Sequence, residues 1–149
     1  MTLFEDLRAS HEVQRSLART MTHGRASADN RRAAFLALAN ELDAHATAEE
    51  RHLYVPLLMH DAGLRASRHA LADHHKAEKA VEALRGVDPA TDEFAALALD
   101  LSAEVRDHLD EEEHGTFQLA GKLLSKTQLQ QLAAAYRAEY AERGGPHTT

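Results

Sequence analysis

Two stretches of this 149-residue chain place histidine and glutamate at a spacing that can bind a cation. One runs from His45 to Glu49, the other from His108 to Glu112. On a helix, residues four apart share a face and lie about one turn from each other, so each pair can present an imidazole and a carboxylate to one point. The copies are 63 residues apart, and the same offset carries His11 onto His74 and Glu41 and Leu42 onto Glu104 and Val105. Each copy has a second glutamate directly after the first, and an aromatic residue nine positions after its histidine, Tyr54 or Phe117. The pattern is that of a duplicated two-helix hairpin with ligands on each helix.

The positions between these residues decide how the pattern is read. Phe35, Leu38, Leu42, His45, Glu49 and His52 follow three-four spacing, the signature of one face of a bundle helix. A lone polar residue on such a stripe is most simply a satisfied core group, and a charge run is most simply a solvated face. Four histidines and two glutamates at matching depth fit neither description. Buried carboxylates without partners are costly, and a metal ion supplies both the counter-charge and the partners. The chain has no cysteine, which excludes disulfides, thiolate zinc sites and iron–sulfur clusters. Imidazole with carboxylate suits iron, manganese or zinc. Six or seven ligands are too many for one tetrahedral zinc and suit two metals with bridging carboxylates.

The seventh candidate is Glu78, one turn after His74, although its counterpart in the first half, Arg15, shows that a solvated side chain can stand there. His52 is read as a neighbour of the site or a packing residue, and Tyr54 as packing matched by Phe117. His75 is rotated about 100° from His74 and is assigned to the surface. His23, His60, His69, His114 and His147 are assigned to loops or the surface, and Glu111 to a solvated acidic run.

These residues need helices to position them. Ala and Leu dominate, aromatics make up 5% and Trp is absent, a composition that favours an all-α domain. Leu3, Leu7, His11, Gln14, Ala18 and Met21 form the first inner stripe, after Thr2 as N-cap. Asp29 is expected to cap the second helix, and Pro56 to kink or end it. The third helix starts near Leu64 with Leu71, His74, Val81 and Leu84 inside, and Gly86 stops it. The fourth carries Leu101, Val105, His108 and Glu112. Ser125 or Thr127 caps a fifth. Short connections imply antiparallel neighbours, hence an up-down-up-down four-helix bundle with an extra C-terminal helix. The expected divisions are 1–124 for the bundle, 125–143 for the C-terminal helix and 144–149 for a frayed tail. A net charge of −7 opposes binding to nucleic acid. No apolar run reaches the ~18 residues of a membrane span and no signal peptide is visible, so a cytoplasmic protein is expected.

The order His … His-x-x-x-Glu … His … His-x-x-x-Glu on four successive helices resembles the hemerythrin-like HHE cation-binding domain over roughly residues 4–120. The strings HATAEERHLYVPLL from His45 and HLDEEEHGTF from His108 are similar to its second and fourth helices. The resemblance implies two iron ions, oxo- or hydroxo-bridged, with His11, His45, His74 and His108 as terminal ligands and Glu49 and Glu112 as bridges. It implies a small oxidant as ligand: oxygen, peroxide or nitric oxide. Catalase-like or nitric-oxide-consuming activity and a part in oxidative stress follow from that. Two departures matter. Oxygen-carrying hemerythrins put two histidines a turn apart on the third helix, where this chain has Ala70 and Glu78 four residues either side of His74. Their fourth helix has an aspartate five residues after its histidine, where this chain has Glu113, with Glu112 one residue before it. The alternatives are an iron or oxygen sensor acting through a partner protein, and a ferritin-like di-iron oxidase. The latter is suggested by the Glu-x-x-His spacing at Glu49 and His52 and at Glu111 and His114.

Overall fold

A computed structural model describes residues 2–145. Five long helices make up the fold. Helix α1 spans Leu3–Thr22, and α2 spans Ala28–Glu49 and continues through a π turn, Glu50–Tyr54, into a last α segment, Val55–Leu58. Helix α3 spans Leu64–Leu84. Helix α4 spans Asp92–Glu111 and continues through a second π turn, Glu112–Thr116, into Phe117–Leu123; α5 spans Lys126–Glu142. Helices α1 to α4 form the antiparallel bundle, and α5 packs along α1 and α2. No strand occurs among the described residues, and no helix there is long and apolar enough to cross a membrane.

Helix ends follow local chemistry. The Thr2 hydroxyl accepts from the Glu5 amide while the Glu5 carboxylate accepts from the Thr2 amide, a reciprocal cap. Ser125 and Gln128 form the same device at α5. Helix α2 is capped by Ser27 and not by Asp29; its hydroxyl accepts from the Asn30 amide, which leaves Asp29 in the first turn. Gly86 ends α3 at φ 80°, a conformation open to glycine without strain. Gly144 and Gly145, expected to fray, are tied back: the Gly144 carbonyl accepts from the Asn40 side chain and the Gly145 amide donates to the Tyr140 carbonyl. The rest of the expected tail, 146–149, lies outside the described residues.

The α1 stripe is buried at every position from Leu3 to Met21. On α3 the inner stripe runs through Ser67, Ala70, Val81 and Leu84, whereas Leu71 is 37% exposed. Ala70 takes the inward position because it stands four residues before His74, one turn along the same face. Two apolar clusters close the bundle. One joins Leu3, Leu7, Leu53, Leu57, Phe117 and the α5 tyrosines. The other joins Met21, Phe35, Leu38, Leu84, Phe94 and Leu101. The polar residues lie between them.

Pro56 does not end the second helix where it stands; the α segment that contains it runs on to Leu58. The Val55 amide donates to the Glu50 carbonyl across the wide turn, and Pro56 falls in the first turn of the restarted α segment, where its missing N–H matters little. The turn holds one extra residue, which sets back the side chains that follow by about 100°. Tyr54, nominally opposite His45, is thereby turned inward and is 1% exposed. The second π turn does the same for Phe117, which is also buried.

Candidate metal centre

His11, His45, Glu49 and Glu112 bring one ligand atom each to within 4.8 Å of one another; Glu49, His74, His108 and Glu112 form a second such group. The two groups share both glutamates. Glu49 Oε2 lies 3.1 Å from His45 Nε2, and its Oε1 lies 3.1 Å from His74 Nε2 and 3.9 Å from His108 Nε2. Glu112 Oε1 lies 3.0 Å from His11 Nε2, and its Oε2 lies 3.1 Å from His108 Nε2. Each carboxylate thus spans both groups, one oxygen toward each.

All four imidazoles present Nε2 to this interior and hold Nδ1 against an outer residue. His11 Nδ1 meets Glu113 at 2.6 Å, and His74 Nδ1 meets Glu50 at 2.9 Å. His108 Nδ1 meets Asp73 at 3.1 Å, and His45 Nδ1 meets the Ser10 and Tyr136 hydroxyls at 2.9 Å each. A carboxylate can only accept, so Nδ1 of His11, His74 and His108 carries a proton, and with a cation bound Nε2 would serve as its electron-pair donor. These outer residues obey the 63-residue offset as well: Glu50 pairs with Glu113, and Ser10 with Asp73. Spacing alone admits either Glu112 or Glu113 as the inward carboxylate and does not mark Glu50, Glu113, Ser10, Asp73 or Tyr136 as orienting residues.

Charge is concentrated here. Burial works against a charged His11, yet bonds to Glu112 and Glu113 raise its pKa to about 9. His74 reaches about 9 against the same penalty through Glu49 and Glu50, and His108 about 12 through Asp73, Glu112 and Glu49. Burial pushes Glu49 up, but His45, His108 and His74 together hold it well below the usual carboxylate range. The His11 bond, helped by Arg15, brings Glu113 down to about 2. Glu49, Glu113 and Asp73 are therefore held in the ionised form, which suits a cation site.

Tyr54 donates its hydroxyl to Glu112 Oε2, and burial followed by the Glu112 charge raises its pKa well above 10. The Tyr54 ring stands edge-on to His74 at 6.2 Å, and the Phe117 ring stacks on His11 at 5.8 Å. On the α5 side, Ser10 and Tyr140 donate to the buried Glu41, and Tyr136 stacks on Tyr140.

The remaining candidates lie elsewhere. Glu78, the seventh expected ligand, is exposed and belongs to neither group. Its place, four residues after His74 on α3, faces the mouth of a cavity and not the bundle axis. Glu113 turns outward to Arg15, leaving Glu112 as the inward member of the pair. His52 bonds Glu139 on α5, because the π turn has taken it off the stripe. His75 and His114 are exposed. The Glu-x-x-His pairs of a ferritin-like site therefore do not converge. His69, Asp73 and Glu111 form a further group at the surface, where His69 pairs with Glu111 at 2.7 Å.

The family model for the Hemerythrin HHE cation binding domain matches residues 2–120. The chain belongs to the hemerythrin family. No curated protein and no solved structure matches it. The family makes it a cation-binding helical protein, and the donor set fits that role on its own terms. His11 Nε2, Glu49 Oε1 and Glu112 Oε1 are buried, and their close contacts with one another and with His74 lack hydrogen-bond geometry. Buried polar atoms without partners are rare, and here all three point into one interior. Imidazole nitrogen and carboxylate oxygen without sulfur are the donors that iron and manganese take.

Proposed function

We propose that the chain is a non-haem di-iron protein whose centre binds or turns over a small oxidant: peroxide, nitric oxide or oxygen. The observation that carries this reading is the sharing of Glu49 and Glu112 by two four-residue groups. A single ion would need no such division. Two irons held by His11, His45, His74, His108, Glu49 and Glu112 would supply one or two electrons to an oxidant, to be restored by an external reductant.

The chain's own residues do the rest. Glu50, Glu113, Asp73 and Ser10 fix the imidazole orientations. Tyr54 keeps a proton at Glu112 Oε2. Helix α5 covers His45 through Tyr136, and His11 and His45 are 0% and 3% exposed. The His74 and His108 side is 10% and 13% exposed and borders a cavity, so a small ligand reaches the centre there. Because Glu78 is exposed, α3 contributes His74 alone from its inner face. That leaves fewer neutral nitrogen donors than an oxygen carrier uses to hold ferrous iron. Turnover of an oxidant is favoured over reversible carriage.

The test is to reduce the iron-loaded protein, add oxygen, and follow the charge-transfer absorption. We expect prompt return to the diferric spectrum, and reaction of the reduced form with peroxide or nitric oxide. An oxygen adduct that persists and reverts under vacuum would contradict the reading.

A further inference from the structure

A cavity of about 490 Å³ lies between α2, α3 and α4, and His45, His74 and His108 line it. Dioxygen or peroxide needs little more room than a water, whose share of liquid volume is about 30 Å³. The cavity is within the ~300–1,000 Å³ range of pockets for small organic molecules. Its walls are partly aliphatic, with Leu36, Leu42, Val81 and Val105.

One polar group in it has no structural task. Gln14, one turn after His11 on α1, lines the cavity and is 1% exposed, and its Nε2 has no hydrogen-bond partner. The 63-residue offset places Ala77 at the matching position, so the duplicated scaffold does not require a polar residue there. An amide buried without an acceptor is costly, and an aliphatic side chain of the same size would avoid the cost. The cavity also has a sign. Asp43, Glu50, Glu78, Glu82 and Glu104 line it, and Arg85 is the one lining residue with a permanent positive charge. Positive charge is confined to Arg85 and the histidine side, and along the rest of the wall these carboxylates repel an anion but not an uncharged molecule.

We propose that this cavity is the binding pocket for an uncharged aliphatic molecule bearing a hydroxyl or hydroperoxyl oxygen, which accepts a hydrogen bond from Gln14 Nε2. The aliphatic part lies against Leu42, Val81 and Val105. The oxygen end is held on the side of the three histidines. This rests on the reading of the centre as one that receives a small oxidant, and specifies organic hydroperoxides as the peroxides it takes, with alcohols as their unreactive analogues.

The experiment uses the purified, metal-loaded full chain and tert-butanol, the unreactive analogue of tert-butyl hydroperoxide. Saturation transfer from protein to the tert-butyl protons gives a dissociation constant. Trimethylacetate, of similar shape but anionic, is the comparison. We expect trimethylacetate to bind at least tenfold more weakly than tert-butanol. Gln14→Leu should weaken tert-butanol about tenfold while keeping the wild-type metal content. Glu78→Gln with Glu82→Gln, both on the exposed wall, should narrow the gap between the two probes without changing tert-butanol affinity. Equal binding of tert-butanol by wild type and Gln14→Leu overturns the proposal, as does equal binding of the two probes by wild type. Failure of the di-iron reading is seen separately, as missing iron in the wild type.

Discussion

Glu49 and Glu112 each reach two histidines of different groups, so neither can be lost at the expense of one group alone. Glu49→Ala should therefore remove metal from both groups, whereas Glu78→Ala should keep the wild-type metal count; elemental analysis of the two variants separates them. The outer residues tune the ligands without being ligands. Glu50→Gln should weaken metal affinity by roughly 10- to 100-fold, read by chelator competition, with unchanged helicity. Much of this was legible in the sequence, because four-residue spacing on a helix maps directly onto one face. That mapping identified the four histidines and two glutamates the fold brings together. It misjudged Glu78, since spacing gives the angle around α3 but not how closely α2 and α4 approach that angle. The orienting residues were legible in principle, as they repeat with the same offset, but an offset alone does not say which helix a side chain meets.

Pro56 predicts a kink or an end of the second helix, and the structure shows a π turn just before it and a short α segment, Val55–Leu58, around it. A π turn has no sequence signal comparable to a cap, and its consequence is large, because it decides that Tyr54 faces Glu112. Helix α5 was legible as a helix but not as a wall of the centre, since it lies outside the duplicated unit. Several polar contacts hold it there, among them the bond of Arg137 to buried Asp6. Arg51, His52 and Arg143 surround Glu139, and Tyr140 donates to buried Glu41. The Arg143 bond, with His52 and Arg51, brings the Glu139 pKa down from 4.5 to about 2. A depressed carboxylate stabilises the fold above its unfolded pKa, and that contribution is lost as pH falls from about 4.5 toward 2. The urea midpoint should fall over this window in wild type and fall less in Glu139→Gln. Tyr140→Phe removes one of the two hydroxyl donors to Glu41 and should destabilise the protein by about 1–3 kcal/mol in denaturant titration.

At the scale of the whole molecule, the protein is two similar halves around a charged interior, with a fifth helix closing one side. Apolar clusters at both ends hold the bundle together, so the fold does not depend on metal alone. Metal bound only by the folded state still stabilises it, by about 2.7 kcal/mol at a free concentration 100 times its dissociation constant. The metal-loaded protein should accordingly melt above the metal-free one, and coincident transitions would count against a buried centre. The account stands most directly on the number of metals. Elemental analysis of protein expressed with ample iron should give two irons per chain, because two groups that could each hold an ion share two carboxylates. One zinc per chain, or no metal at all, would contradict it.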